Sequence, residues 1–371
     1  MTTSLAVPSA VLARAQRVAD AYASFTGVDV SAAELIGGRA VLQGIGPDGR
    51  ISAGGATRLM SCRDGWCALT LSRADDVDAV PALLGRDRVT DAWAAVEKWT
   101  AGSDVADVTE RARLLGLPVA GLAETPPASP RVYPFGAATT TRAPADLLVA
   151  DLSAMWAGPL CGHLLARAGA TVVKVESVAR PDGARGGPKA FFDWINAGKL
   201  SYAVDFDEPT GLRALLEVAD VVIESSRPAA LTRRGLGPTS VAPRDGRVWV
   251  RITGHGTDGE RADWVAFGDD AAVSGGLVGG SPDDPAFTGD AIADPLTGLE
   301  AALAVAQSLR SGGGELVEMS MAAVAAVYAE RQSNEETTCD TTPQIAGAAA
   351  ELGADNETVE DLISRRRFAP C

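Results

Sequence analysis

From residue 147 onward, short wholly apolar runs alternate with amphipathic stretches. LLVADLS at 147–153, TVVKVES at 171–177, DVVIES at 220–225 and RVWVRITGHG at 247–256 read as buried strands. A Gly-Pro turn and an apolar helix, GPLCGHLLARAGA, follow the first, and a helix over 209–219 precedes the third. LTGLEAALAVAQSL at 296–309 reads as a further helix, and ELVEMSM at 315–321 as a further strand. Alternation of this kind predicts an α/β fold, a doubly wound parallel sheet of Rossmann-like type. Ligands of such sheets bind at the carboxyl ends of strands, here near Ser153, Glu176, Ser225 and Thr253.

The front of the chain follows other periods. Leu5, Val11, Leu12, Val18, Tyr22 and Phe25 recur at helical spacing. Residues 39–71 read as short strands broken by Gly-rich turns, with RLMSCRDGWCALTL as a hairpin around Asp64-Gly65. Two helices are expected within 89–113, the second ending near Gly116 and Pro118. This pattern predicts a smaller α+β domain over 1–125. The Pro-, Thr- and Ala-rich stretch 124–146 predicts a linker, placed at 126–146, before a sheet domain over 147–330. The polar tail, 331–371, is expected to hold a short amphipathic helix at 356–364.

Charge and composition narrow the function classes. A net charge of -15 disfavours nucleic acid as a partner, since such a surface repels phosphate backbones. A local basic pocket still admits a small anion. No run of apolar residues is long enough to span a membrane, and no basic region precedes the first apolar stretch. The five cysteines, Cys62, Cys67, Cys161, Cys339 and Cys371, are an odd set in a large chain, which points to reduced thiols and a cytoplasmic setting. With only His163 and His255 to accompany them, no metal site is expected.

Seven segments in order carry a family resemblance. DLSAMWAGPLCGHLLARAGATVVKVES, NAGKLSYAVDF, DVVIESSRPAALTRRGLG, RITGHGTDG, AFGDDAAVSGGLVGG, GDAIADPLTGLEAALAV and SGGGELVEMSM resemble the family III CoA-transferases. That group contains formyl-CoA transferase, the carnitine CoA-transferases and α-methylacyl-CoA racemase. The resemblance covers residues 146–325 and implies an acyl-CoA:carboxylate CoA-transferase with coenzyme A as substrate and product. It implies an aspartyl anhydride and an aspartyl-CoA thioester as intermediates, with a carboxylic acid as acceptor.

The matching nucleophile position is Asp294, in IADPLTG. On the residues alone, Asp294 also suits a helix N-cap with Pro295 at N1. A helix N-terminus is expected to lower its pKa and keep it nucleophilic. Carried over by position, the CoA contacts are Met155, Trp156 and Ala157 after the first strand, Ser225, Ser226 and Arg227 after the third, then Arg233, with Lys199 on the intervening strand. Arg and Lys are the expected partners of its phosphates. Gly275, Gly276, Gly279 and Gly280 form a Gly-rich loop suited to closing over the thioester.

Two other readings stay open. The racemases pair the Asp with a His in a Gly-His-Asp stretch, which here is Ala266-Phe267-Gly268; His255 is then the substitute base. The adjacent Asp269-Asp270 is expected to cap a helix. Alternatively, the chain is a non-catalytic CoA-binding subunit of a hetero-oligomer. The segments resembling the family's small domain, RLMSCRDGWCALTLSR and DAWAAVEKWTAGSDVADVTERARLLGLPVAGL, precede the sheet domain instead of following it. This order puts the family's interlocked ring in doubt, though a homodimer is still expected. It also predicts a small domain folded back to form the acyl side of the site.

Overall fold

The computed structural model describes residues 5–330 and 335–368. The chain opens with strand β1 (Leu5–Pro8) and helices α1 (Ser9–Thr26) and α2 (Ala32–Gln43). A small unit follows: β2 (Thr57–Ser61), β3 (Trp66–Thr70), the short α3 (Ala74–Asp78) and α4 (Val80–Leu84), α5 (Ala92–Thr100), α6 (Val105–Leu114) and β4 (Val119–Gly121). Strand β5 (Arg131–Pro134) leads into the sheet domain. Its first half runs β6 (Leu148–Asp151), α7 (Ala157–Arg167), β7 (Thr171–Ser177), α8 (Lys189–Asn196), β8 (Leu200–Val204), α9 (Thr210–Val218) and β9 (Val221–Glu224). The second half runs α10 (Pro228–Arg233), β10 (Val248–Thr253), α11 (Gly268–Ser274), a small hairpin β11 (Gly279–Ser281) and β12 (Asp284–Ala286), α12 (Ala293–Arg310), β13 (Glu315–Ser320) and α13 (Met321–Ala329). Strand β14 (Glu336–Cys339) and helix α14 (Asn356–Phe368) close the described chain.

Seven strands form the main sheet in the order β5-β13-β10-β9-β6-β7-β8. The six from β6 onward are parallel, and β5 adds antiparallel to β13 at one edge. In chain order the parallel strands run 3-2-1-4-5-6, so the order reverses between β6 and β9, the place where such folds open a crevice. Side chains alternate between two apolar layers. Val149, Val172, Val221, Ile223 and Val250 pack under α7, α12 and α1, while Leu148, Val173, Val222 and Trp249 pack under α9 and α14. The wholly apolar runs in the sequence are strands covered on both faces.

The small unit has its own core of Met60, Leu69, Leu83, Val96, Val108 and Val119 beneath a three-stranded sheet, β2-β3-β4. A second apolar contact, Leu59 and Ala68 against Val273 and Phe287, joins this sheet to α11. Thus the small unit lies on the sheet domain.

Three sequence expectations are corrected, and the tail holds more than its expected helix. Helices α1 and α2, expected within a small domain over 1–125, bury their apolar faces in the sheet domain's core. Helix α1 packs along α12 because its buried stripe is Val11, Ala15, Ala19 and Tyr22, narrow enough for close approach. Residues 39–43 are helical, since Ser31 caps α2 and the left-handed Gly44 ends it. The stretch expected as a linker contains β5, whose register Val132↔Val317 covers the sheet edge. In the tail, β14 pairs antiparallel with β1, and Asn356 at the start of α14 bonds the backbone of Ala203 in both directions (2.9 and 3.0 Å), completing the other sheet edge. Residues 331–334 and 369–371, parts of the expected tail, lie outside the described residues, as does Cys371.

Tyr22 pins α1 to the sheet domain: its side chain is buried and its hydroxyl donates to the Leu164 carbonyl at 2.8 Å. Tyr22→Phe is expected to cost about 1 kcal/mol in urea unfolding, and Tyr22→Ala about 3–5 kcal/mol. Equal and negligible effects of both would place α1 outside the folding unit.

Candidate active site

The site forms where the first turns of α7 and α12 meet. Gly298 lies one turn beyond Asp294 and on the same face of α12. A Cβ there would stand 2.6 Å from the Ala157 carbonyl and 3.0 Å from Leu160 Cβ. Without one, α12 lies directly on α7, and the Ala157 N–H stands on the side of the Asp294 carboxylate, where it favours the ionised form. Gly268 provides the second close approach, since a Cβ would fall 2.4 Å from Asp294 Oδ2 and 2.3 Å from the Ala291 carbonyl. Residues 291–294 enter the helix through Ala291, which holds a left-handed φ of 41°. Asp294 itself is not the N-cap. That position is Ile292, and the Asp294 N–H bonds the Ala291 carbonyl at 2.8 Å. The carboxylate is therefore free of capping duty and partly exposed.

Three further acids surround it. Asp290 is buried and forms an ion pair with Arg39 at 3.1 Å. Asp269 accepts the Ala291 N–H at 3.0 Å and thereby braces the entry to α12. Asp270 is buried and accepts from the Thr70 hydroxyl (2.8 Å) and the Phe267 N–H (3.0 Å), the latter closing the start of α11. Hence the expected capping role holds for Asp270, whereas Asp269 serves the neighbouring turn. Enclosure by protein, then the charges of Asp269 and Asp290, push the Asp294 pKa up to about 7 against the opposing pull of Arg39 and the Ala157 N–H. Burial likewise carries Asp290 and Asp270 to about 7. The lowered value expected from the helix N-terminus is overturned, because desolvation and like charges outweigh the helix dipole.

Arg39 is the cation of this cluster. It reaches Asp290 from α2, and its guanidinium lies over the rings of Trp156 (5.4 Å) and Phe191 (5.7 Å). Trp156 is buried and belongs to the core, edge-on to Phe191 at 5.3 Å. Its role is to support Arg39.

The strand ends beside the switch point gather several of the expected CoA residues. The Ala154 N–H donates to Ser225 Oγ at 3.1 Å, tying the loop after β6 to the loop after β9. Met155 is exposed, adopts a left-handed φ of 69°, and donates its N–H to Asp182 at 3.0 Å. Lys174 holds Asp182 through a buried ion pair of 2.7 Å. Ser226 Oγ is buried and has no hydrogen-bond partner among the described residues. Arg227, the N-cap of α10, and Arg233 are exposed and form no ion pair among the described residues.

Other expected residues have different employment. Lys199 is buried; its ammonium contacts Asp151 (2.9 Å), the Pro159 carbonyl (2.8 Å) and Asn196 (3.0 Å), leaving none of its charge for a phosphate. At Gly275 a Cβ would meet the Ala322 carbonyl and Ala326 nitrogen at 2.5 Å, so this glycine seats α11 on α13. Gly276 forms the left-handed turn after α11, and Gly279 and Gly280 belong to the β11–β12 hairpin. They do not form a single loop. His255, the substitute base of the racemase reading, follows β10 and is buried. Burial, then Arg113 and Arg261, lower its pKa to about 3. Neither ring nitrogen of His255 has a hydrogen-bond partner among the described residues, so no hydrogen bond joins His255 to Asp294.

Arg39, Asp290 and Gly268 escaped the sequence reading. Asp290 stands four residues before Asp294 in GDAIAD, a spacing that signals little by itself. Nothing in the sequence joins Arg39 to a motif some 250 residues away. Among the described residues no group of three or more His, Cys, Asp or Glu is arranged to hold a metal ion, and no helix is long and apolar enough to cross a membrane. Cys62, Cys67, Cys161 and Cys339 are free thiols.

The 3-2-1-4-5-6 parallel sheet with helices on both faces, and a partly exposed acid at an Asp-x-x-x-Gly helix start, define a doubly wound α/β protein. Residues 145–356 match the model of CoA-transferase family III, and the chain belongs to that family. A succinyl-CoA--D-citramalate CoA-transferase of Chloroflexus aurantiacus is 33% identical over 192 residues, covering 47% of this chain and 48% of the relative. A succinate--glutarate CoA-transferase of Agrobacterium fabrum is 33% identical over 213 residues, 50% of this chain and 53% of the relative. A solved CaiB/BaiF family protein from Brucella suis has 30% identity and a TM-score of 0.46 over 51% of this chain and 55% of that one. The chain spans about half the length of the curated relatives it matches.

The raised pKa gives the site a pH signature. A carboxylate reacts only when ionised, so its reactivity should rise with pH and reach half its plateau near pH 7. Removing the positive charge in Arg39→Ala disfavours the ionised form and should move that midpoint upward by about one unit, while Arg39→Lys should largely restore it. The pH dependence of Asp294 labelling by a water-soluble carbodiimide measures the midpoint, with the opposite sign because carbodiimides attack the protonated acid. An unshifted midpoint in Arg39→Ala would separate Arg39 from the carboxylate.

Proposed function

We propose that this protein is an acyl-CoA:carboxylate CoA-transferase with Asp294 as nucleophile. The observation that carries the reading is the position of Asp294: a partly exposed carboxylate, free of capping duty, on the first turn of α12 where Gly298 lets that helix lie against the start of α7. In the reaction, an Asp294 oxygen adds to the thioester carbonyl of the donor. The C–S bond breaks, leaving a mixed anhydride and CoA thiolate. The thiolate then attacks the aspartyl carbonyl of the anhydride, releasing the donor acid and leaving CoA as a thioester of Asp294. The acceptor carboxylate attacks this thioester, a second anhydride forms, and returning thiolate takes the acceptor acyl group. Asp294 is thereby regenerated as a carboxylate. Backbone N–H groups at the α7 start are suited to the oxyanions of these additions.

CoA is assigned to the strand ends at the switch point, where ligands of such sheets bind. Met155, Ser225 and Ser226 line the strand ends, and Arg227 and Arg233 offer unpaired guanidinium groups for its phosphates. The small unit provides the acyl side, since its Thr70 hydroxyl reaches Asp270, beside Asp269 of the acid cluster. Coenzyme A is substrate and product, a carboxylic acid is the acceptor, and a homodimer in the cytoplasm is the expected setting. The low His255 pKa disfavours the racemase alternative, because a base near 3 is poorly matched to removing an α-proton at neutral pH. The non-catalytic subunit reading has no structural observation in its favour.

Exposure to a panel of acyl-CoAs followed by mass spectrometry should reveal a CoA adduct on Asp294. Asp294→Ala should lose the adduct and at least about 10³ in turnover while CoA still binds. Near-normal turnover in that variant would end the assignment. The double variant Arg227→Ala/Arg233→Ala should weaken CoA by about tenfold or more and flatten its salt dependence. Unchanged affinity would move the phosphate site elsewhere.

A further inference from the structure

A second constellation lies where the small unit meets the loop after β10. Trp264 is its centre. Arg113 of α6 stacks over the indole at 3.6 Å, Arg261 lies over it at 5.1 Å, and His255 meets it edge-on at 5.3 Å. The two arginines differ in their partners. Arg113 is matched by Glu124 at 2.5 Å. Arg261 donates only to the Thr125 hydroxyl, at 3.3 Å, and meets no carboxylate within ion-pair distance among the described residues. His255 is 4% exposed, and both its ring nitrogens lack a hydrogen-bond partner among the described residues. A neutral imidazole with an unused N–H beside an unmatched guanidinium is an incomplete polar site, since buried polar groups are normally satisfied.

The location relates this cluster to Asp294. A Cβ on Gly254 would stand 2.6 Å from Ala266 Cβ, and one on Gly268 would stand 2.4 Å from the Asp294 carboxylate. Hence His255 and Asp294 flank the same short segment, 266–268. Arg261 nevertheless makes no hydrogen bond or ion pair with Asp294 among the described residues; its side-chain partner is Thr125, on the connection from the small unit.

We propose that Arg261 and His255 form an anion site that holds a substrate carboxylate remote from the one that reacts at Asp294. Arg261 supplies the charge, the imidazole N–H a hydrogen bond, and Trp264 an apolar wall. This assignment rests on the transferase reading and gives it a substrate class: acids bearing a second carboxylate. Because Arg113 and Glu124 come from the small unit and its connection to the sheet domain, the packing of the two would set the length of acid accepted.

The chain has only two histidines, so their imidazole signals are readily assigned in protein labelled with ¹⁵N-histidine. His163, whose charged neighbours are Lys199 and Arg167, serves as the internal reference. Titration of the full chain with succinate should move the His255 signals saturably and leave those of His163 in place, with chloride at matched ionic strength inactive. Arg261→Ala should weaken this response by about tenfold or more, and Arg261→Lys should recover part of it. Silent His255 signals, or an equal response in Arg261→Ala, would overturn the assignment. The Asp294 adduct, tested in parallel with succinyl-CoA, separates the two readings. An adduct with silent His255 signals removes only the anion site. If adduct formation persists in Arg261→Ala while the KM for succinate rises, the site is supported; an unchanged KM counts against it.

Discussion

The contact between α7 and α12 determines where Asp294 stands. Gly298 removes the side chain that would hold the helices apart, and the first turn of α12 then lies against the first turn of α7. Asp294 and Gly298 are four residues apart, so the group that permits the contact and the group that uses it share one helical face. This is the physical content of the Asp-x-x-x-Gly spacing: the glycine lets the start of α7 approach, and the aspartate stands one turn earlier on the face that meets it. The crossing also fixes the site relative to the switch point, because α7 begins in the loop that leaves β6.

The electrostatic setting is unusual for a carboxylate at a helix start. Four acids gather around residues 269–294, and one guanidinium from α2 faces them. Burial and mutual repulsion raise their affinity for protons, so Asp294 is balanced near neutrality. Their neighbours at the strand ends behave oppositely. Buried Asp151 and Asp182 are paired with Lys199 and Lys174, and lysine charge and hydrogen bonds together outweigh desolvation to hold both below the usual carboxylate range. The two sets divide the labour: paired ions shape the crevice, and underpaired acids leave one carboxylate poised to change state.

The front of the chain meets the matched family region through surfaces that lie side by side in space. Helices α1 and α2 complete the sheet domain's core and deliver Arg39, while the hairpin β2–β3 covers α11 and delivers Thr70. Groups from the front of the chain therefore meet groups from beyond residue 268 without any extension of the matched family region. The strand within the expected linker has a related cause. An exposed parallel sheet edge presents unpaired backbone groups, and β5 satisfies those of β13.

The alternation of apolar runs and helices determined the doubly wound sheet by itself, because strands buried on both faces need no partner information to be recognised. Asp294 was marked by the resemblance of IADPLTG to a family motif, whereas its spacing alone read as a helix cap, and the hairpin at Asp64-Gly65 followed from local turn chemistry. Other features depended on three-dimensional packing. Lys199 looked like a phosphate ligand until Asp151 and Asn196 surrounded it, and Gly275 looked like a flexible loop until α13 lay across it. The pKa of Asp294 even reversed direction, since the dipole of its own helix is local whereas Asp269, Asp290 and burial arrive from elsewhere. Arg39 is the clearest case: its charge is visible in the sequence, but its pairing with Asp290 exists only because α2 folds onto the sheet domain, and the energy of a charge depends on its surroundings in space.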